Sequence, residues 1–243
     1  VFPITLETGS ALIVAALVSA LFAGLLGYAM FYGRVGDVYL AIVTLAVTLV
    51  LYTVISSTAG PEYQIGEAQL GGFNGIPSLP SISLGWPGAE GNSEFGTRAL
   101  FSFAVCLAGF LYIAVRFLVS GRFGAILAGL RENETRMELL GYDTRLYKLL
   151  AFVLGGAIAG LGGGLFAAWG TFVNPSVFGL SQAALVVIWV MVGGRGTLGG
   201  AFLGVILVQW MSDEANNVLN GQTPLLLGAV LILVVLVFPS GLA

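Results

Sequence analysis

Long apolar runs, separated by short polar or glycine-rich segments, dominate the chain. A helix needs roughly 20 apolar residues to cross the hydrocarbon core of a bilayer. The runs that approach this length cover residues 11–32, 38–58, 99–120, 148–172 and 224–239. Together with a further, interrupted segment they predict an all-α, polytopic fold, in which residues 1–243 form a single transmembrane domain of about seven spans.

The interrupted segment, residues 183–212, has two apolar arms around a glycine-rich corner that contains Gly193 and Gly194. Each arm is too short to cross a bilayer in a straight path. A lipid-exposed helix is unfavourable at this corner, because each glycine lowers helix stability by about 1 kcal/mol relative to alanine. We predict a helix break here, with either two spans that share the corner or a re-entrant hairpin.

Basic residues are distributed unevenly over the predicted loops. If the first span runs from outside to inside, eight of the nine Lys and Arg residues fall inside, and Arg98 alone falls outside. Basic loops remain in the cytosol, so segment 121–147 is predicted to be cytosolic and segment 59–98 periplasmic. The Gly-, Pro- and Ser-rich segment 59–98 is either a flexible loop or an ordered cap that meets an external partner. The chain carries no start Met or basic signal region, and we expect it to begin inside a longer protein.

The amino-acid composition indicates that lipid surrounds this chain, and it limits which catalytic and metal sites the chain could form. The chain is 58% hydrophobic and only 9% charged, whereas soluble domains carry about 25% charged residues. A net charge of −3 provides no basic field for nucleic acid. With no His and one Cys, the chain lacks the commonest general base and any thiolate metal cluster. We therefore predict no catalytic set, cofactor or metal site.

Energy for transport is expected to come from another chain. Lys148 is the only lysine, and no glycine-rich loop precedes it, so the sequence has no Walker A motif. No carboxylate lies in the middle of a predicted span, although such groups usually mark proton or sodium coupling. These features argue against both an ATPase and an ion-driven transporter.

Small residues form two ridges on the helix predicted at 148–172. Gly156, Gly160 and Gly164 form one ridge, and the segment from Gly155 to Gly163 supplies a second through every fourth residue. Small residues at this spacing let helix backbones approach closely in lipid. The ridges indicate either packing within one subunit, or a dimer seam or pore wall.

Segment 121–147 is the charge-dense part of the chain. Glu132 and Arg136 are spaced as a helix-supporting i,i+4 pair, Gly141 is suited to ending that helix, and Met137 with Leu140 offers an apolar contact. The segment is either an ordinary solvated helix or one that docks into a groove of a partner. The docking candidates are Arg131, Glu132, Glu134, Arg136, Met137, Leu140 and Gly141.

A few polar or aromatic residues interrupt otherwise aliphatic stretches and are candidates for contact with a transported solute. Equally, such hydroxyls can bond their own helix backbone, and such aromatic rings can simply pack. With the two glycines of the corner, the candidates are Thr44, Thr48, Phe73, Asn74, Trp189, Gly193 and Gly194.

An ordered set of short motifs resembles the branched-chain amino-acid ABC permease family over nearly the whole chain from about residue 30. The motifs are YLAIVTLA at 39–46, GGFNGIP at 71–77, RENE at 131–134, LGY at 140–142, YKLLAF at 147–152, NP at 174–175, VGGRGTLGGA at 192–201 and FPSGL at 238–242. The family's Ser-Leu-Gly-His run, expected near its N-terminus, is absent.

The resemblance implies a permease subunit rather than an enzyme, placed in the bacterial inner membrane. Its implied partners are a homologous permease subunit, two cytosolic ATP-binding subunits and a periplasmic solute-binding protein. Urea and short-chain amide permeases share the motif at 188–198, whereas the Gly-Ile-Pro at 75–77 favours the amino-acid branch. A passive small-solute channel remains the alternative of a different class, but a channel has no need of a docking segment at 131–142.

Overall fold

The computed structural model describes residues 8–60, 62–65, 68–77, 79, 83–84, 93–94, 96–194, 196–219 and 228. The chain divides into two compact units, Val1–Pro175 and Ser176–Ala243.

Helices dominate both units. The helices of the first unit are α1 (Thr8–Tyr32), α2 (Asp37–Ser57), α3 (Thr97–Ser120), α4 (Arg122–Glu132), α5 (Glu134–Leu139) and α6 (Thr144–Gly170). Those of the second are α7 (Leu180–Gly193) and α8 (Leu198–Leu219). Short 3₁₀ turns cover Gly72–Asn74 and Pro175–Phe178, and two-residue strands pair as β1 (Gln64–Ile65) with β2 (Ala68–Gln69) and β3 (Ser83–Leu84) with β4 (Ser93–Glu94).

Four of the described helices, α1, α2, α3 and α6, are long and apolar enough to cross a membrane. Large apolar side chains such as Leu17, Val38 and Phe117 point outward from these helices, as expected when lipid is the solvent. The predicted all-α, polytopic fold is confirmed. With the bent α7–α8 pair taken as one span, the described residues supply up to five spans. The run predicted at 224–239 lies outside the described residues except for Gly228.

The helix pair α1–α6 forms the main packing of the first unit. A β-carbon built on Gly160 would lie 2.5 Å from Ser19 Oγ and 2.7 Å from the carbonyl oxygen of Ala15. Only glycine therefore allows the two backbones to come this close. Nearer the other end of the pair, the rings of Phe31 and Phe152 meet edge to face with centroids 5.9 Å apart.

The predicted break in the second unit is confirmed and is shorter than the glycine-rich corner. α7 continues through Gly193 and α8 begins at Leu198, with a bend of 117° between the two helices. A β-carbon on Gly193 would collide with the carbonyl group of Gly200, so part of the glycine-rich sequence serves close packing within helices. Ile188, Val192 and Val208 form the buried core between the two arms.

The described parts of segment 59–98 are hydrogen-bonded to the chain that leaves α6. Ile76 and Val173 exchange two backbone hydrogen bonds of 2.8 and 3.2 Å, and the Leu79 amide donates to the Thr171 carbonyl at 2.9 Å. Gly75, with φ of +79°, packs so closely on Val173 that a side chain would not fit. These contacts hold residues 75–79, as far as they are described, against the residues that follow α6.

Candidate functional site

The charge-dense segment consists of two helices with a sharp break between them. α4 ends at Glu132, and Asn133 adopts an extended conformation with φ of −161°. The side chain of Asn133 caps α5, because its Oδ1 accepts a hydrogen bond from the Arg136 amide at 2.9 Å. This cap satisfies one of the free amides at the start of a helix. The predicted i,i+4 pair of Glu132 and Arg136 is wrong, since the two residues lie on different helices.

A tight turn joins α5 to α6. The Tyr142 amide donates to the Met137 carbonyl at 3.1 Å and the Gly141 amide to the Glu138 carbonyl at 2.9 Å. This is the Schellman pattern, in which the residue after the cap is left-handed, and Gly141 has φ of +88°. Asp143 then caps α6 by accepting from the Leu146 amide at 3.3 Å. The two helices therefore run back along each other.

Two polar contacts hold α5 against the first turns of α6. Lys148 Nζ donates to Glu134 Oε2 at 2.6 Å, forming an ion pair. Thr144 Oγ1 donates to Glu138 Oε1 at 3.0 Å, and Thr144 is only 1% exposed. A buried hydroxyl requires a hydrogen-bond partner, and the Glu138 carboxylate supplies it for Thr144 at the start of α6.

The exposed apolar surface of α5 differs from the predicted one. Met137 is half-buried, with its sulfur directed at Gly129 of α4. Leu139 and Leu140 are 83% and 71% exposed. The prediction assumed one regular helix, on which Met137 and Leu140 would share a face. Because α5 ends at Leu139, two consecutive leucines project outward instead. Leu139 was not among the residues predicted from the sequence.

A charged cavity of about 360 Å³ lies between the end of α1 and the α5–α6 hairpin. Its lining includes Phe31, Arg34, Glu134, Glu138, Arg145 and Lys148. The guanidinium of Arg145 also lies 6.0 Å from the centre of the Tyr32 ring, within the range of a cation–π contact. Arg131, Glu132 and Arg136 are exposed on the outer surface of the segment.

Two of the candidates for solute contact use their hydroxyls locally. Thr44 Oγ1 donates to the Leu40 carbonyl at 3.0 Å, and Thr48 Oγ1 donates to the Thr44 carbonyl at 2.8 Å. Phe73 and Asn74 are exposed in the 3₁₀ turn that follows α2. The structure thus supports the alternative of self-bonded hydroxyls for the two threonines, and it does not bring them into one site with Asn74.

The remaining candidates belong to the second unit. Trp189 packs on the core formed by Ile188, Val192 and Val208, and its indole Nε1 is buried with no hydrogen-bond partner among the described residues. Gly193 and Gly194 are both buried, and Gly194 has φ of +119°. A buried indole donor without a partner is unusual, and it makes Trp189 the strongest of these candidates.

Comparisons with known proteins agree on one family. The family model described as "Branched-chain amino acid transport system / permease component" matches residues 6–238. The high-affinity branched-chain amino acid transport system permease protein LivM of Escherichia coli K12 is 31% identical over 256 aligned residues, covering 94% of this chain and 56% of that protein. LivM of Salmonella typhimurium LT2 is also 31% identical, with coverage of 94% and 55%.

A more distant relative is the probable branched-chain amino acid transport permease protein LivM of Methanocaldococcus jannaschii. It is 27% identical over 138 residues, which cover 56% of this chain and 38% of that protein. No solved structure matches the chain. The chain spans about half the length of the curated relatives it matches.

Proposed function

This chain belongs to the family of branched-chain amino acid transport system permease components, and we propose that it is a membrane-spanning subunit of an ATP-driven importer of branched-chain amino acids. It is a multi-pass protein of the inner membrane. The observation that carries the proposal is the family match over residues 6–238, which includes every described helix from α1 to α8.

The proposed assembly contains a second permease subunit, two cytosolic ATP-binding subunits and an external solute-binding protein. In this assembly α5 docks on an ATP-binding subunit. The contact surface consists of Leu139 and Leu140, with Arg131, Glu132 and Arg136 as its charged rim. Two exposed leucines on a short, capped helix are suited to a partner's apolar groove. Met137 supports this surface from behind by packing on α4.

The proposed sidedness places α4 and α5 in the cytosol and segment 59–98 outside. The arrangement of charges supports it. Arg34, Arg145 and Lys148 line one cavity where α1 ends and α6 begins. Arg98, the residue predicted to lie outside, shares an apolar groove with Trp169, near the opposite end of α6. Such a separation of basic residues between the two ends of the helices is expected from the positive-inside rule.

Uptake measurements test the transport function. Disruption of the gene for this chain should reduce the uptake of radiolabelled leucine, isoleucine and valine to background, and reintroduction of the gene should restore it. Uptake should follow the cellular ATP level and persist when ion gradients are dissipated. Loss of urea uptake with intact leucine uptake would contradict the proposed substrate class. Uptake that is indifferent to ATP would indicate a passive channel.

Cysteine labelling tests the sidedness. With Cys106 replaced by alanine, Thr135→Cys, at an exposed position of α5 outside the proposed contact surface, should react with a membrane-impermeant maleimide only after the membrane is opened. The matched variant Gly96→Cys, at the start of α3, should react in intact cells. The opposite pattern would reverse the orientation.

Co-purification tests the docking surface. Burial of two leucines contributes about 1.5–3 kcal/mol each, so Leu139→Asp combined with Leu140→Asp should weaken binding of the ATP-binding subunit at least about 100-fold. The matched control replaces both leucines with Met, which keeps the surface apolar and should retain the complex. Normal co-purification and uptake in the double Asp variant would contradict docking through α5.

A further inference from the structure

The spacing of the contacts between α5 and α6 is regular. Glu134 and Glu138 are four residues apart on α5, and Thr144 and Lys148 are four residues apart on α6. Residues at this spacing lie on one face of a helix. The outer residues, Glu134 and Lys148, are paired, and so are the inner residues, Glu138 and Thr144. The two faces therefore meet in antiparallel register on either side of the Gly141 turn.

The same end of α6 is in direct contact with α1. Leu149 and Phe152, which follow Lys148 within the next turn, pack against α1 at Gly27. One turn further, Gly156 meets α1 so closely that its β-carbon would lie 2.5 Å from that of Ala23. A continuous series of packed side chains thus connects α5, through the first turns of α6, to a second membrane-crossing helix.

We propose that these two contacts form a polar clamp, defined as Glu134–Lys148 and Glu138–Thr144, that makes α5 move as one body with α6 and α1. This inference rests on the proposed docking of α5 on an ATP-binding subunit. Glu134, a docking candidate by sequence, is instead bonded to Lys148, as Glu138 is to Thr144. All four are then positioning residues, because they bond to one another and lie outside the proposed contact surface. Displacement of the docked α5 reaches the membrane helices through the clamp rather than through the turn at Gly141.

The two arms of the clamp differ in character. The inner arm is fixed, because the Thr144 hydroxyl is buried and has the Glu138 carboxylate as its acceptor. The outer arm is partly exposed, with 31% of the Lys148 side chain and 44% of the Glu134 side chain accessible. Arg34 and Arg145 line the same cavity as both carboxylates. The two charges of the outer arm can therefore be changed by mutation without leaving an unpaired charge buried in the protein.

A charge swap in the complete transporter tests the outer arm. Glu134→Lys and Lys148→Glu, each alone, should leave the membrane level and the co-purification of the ATP-binding subunit unchanged. Each should lower solute uptake per ATP hydrolysed by about fivefold, the ratio that corresponds to an exposed ion pair of about 1 kcal/mol. The combined variant, Glu134→Lys with Lys148→Glu, should recover most of the wild-type ratio.

A conservative pair tests the inner arm. Thr144→Val keeps the shape of the side chain but removes the donor to Glu138, and it should also lower uptake per ATP. Thr144→Ser retains the hydroxyl and should behave like the wild type.

The outcomes separate the clamp from the docking it rests on. If the wild-type chain does not bind an ATP-binding subunit, the proposed function fails. If it binds and both single charge variants keep the wild-type uptake per ATP, the clamp is overturned. Loss of both single variants from the membrane, with recovery in the swap, would show a pair needed only for folding and would overturn the clamp as well.

Discussion

The two small-residue ridges of α6 have different environments in this chain. Gly156 and Gly160 lie against α1, where an added β-carbon would approach Ala23, Ser19 and the backbone of Ala15. Gly155 and Gly163, on the neighbouring ridge, would carry a β-carbon with no atom of another described element within 4 Å. The sequence presents both ridges in the same way. Small residues at every fourth position therefore permit close approach of a helix, but they do not say which ridge is used.

The largest effect is expected when a bulky side chain is introduced on the ridge that lies against α1. Gly160→Leu would place its side chain in the backbone of α1, and overpacking of this kind costs about 3 kcal/mol or more. We expect loss of folded protein, measured as the monodisperse peak in detergent and the unfolding midpoint. The matched control is Gly163→Leu, on the ridge that does not contact α1, and this variant should fold like the wild type. Equal damage from both substitutions would remove the distinction between the ridges.

A smaller effect on stability is expected from substitutions of the two α1 glycines that face α6. A β-carbon on Gly24 would make ordinary contact with Val153 at 3.6 Å, whereas one on Gly27 would crowd Leu149 and Phe152 at 2.9 and 3.0 Å. Alanine is favoured over glycine within a helix by about 1 kcal/mol. Gly24→Ala should therefore stabilise the protein by up to about 1 kcal/mol in unfolding measurements. Gly27→Ala should gain less, because side-chain tips must move, and a greater gain at Gly27 would contradict the packing.

Much of the helical fold could be predicted from the sequence because apolar length decides it. The runs at 11–32 and 38–58 correspond to the membrane-crossing parts of α1 and α2, and the break near Gly193 was predicted from glycine content. Residue 148 was too late a start for α6. That helix begins at Thr144, since Asp143 supplies a cap and the first turn is polar rather than apolar. A hydrophobic run marks the part of a helix in lipid, and not its polar first turn.

Less of the candidate site could be predicted from the sequence. The pairing of Glu134 with Lys148 spans 14 positions, and it depends on a reversal of the chain that i,i+4 spacing cannot reveal. The break at Asn133 has the same effect, since it separates Glu132 from Arg136. Leu139 was overlooked because one regular helix was assumed. In each case a cap or turn, rather than a periodic pattern, determines which side chains meet.

The most apolar stretches of α2 and α3 bury none of their residues within the part of this chain that the structure describes. Lipid distinguishes little between Leu, Ile, Val and Phe, so lipid-facing positions on these helices can exchange among such residues at small cost during evolution. The close contacts of Gly160 and Gly193 allow no such drift. Residue identity in this chain thus carries structural information unevenly. Sequence identity between relatives is therefore expected to fall first at the lipid-facing apolar positions and last at such close contacts.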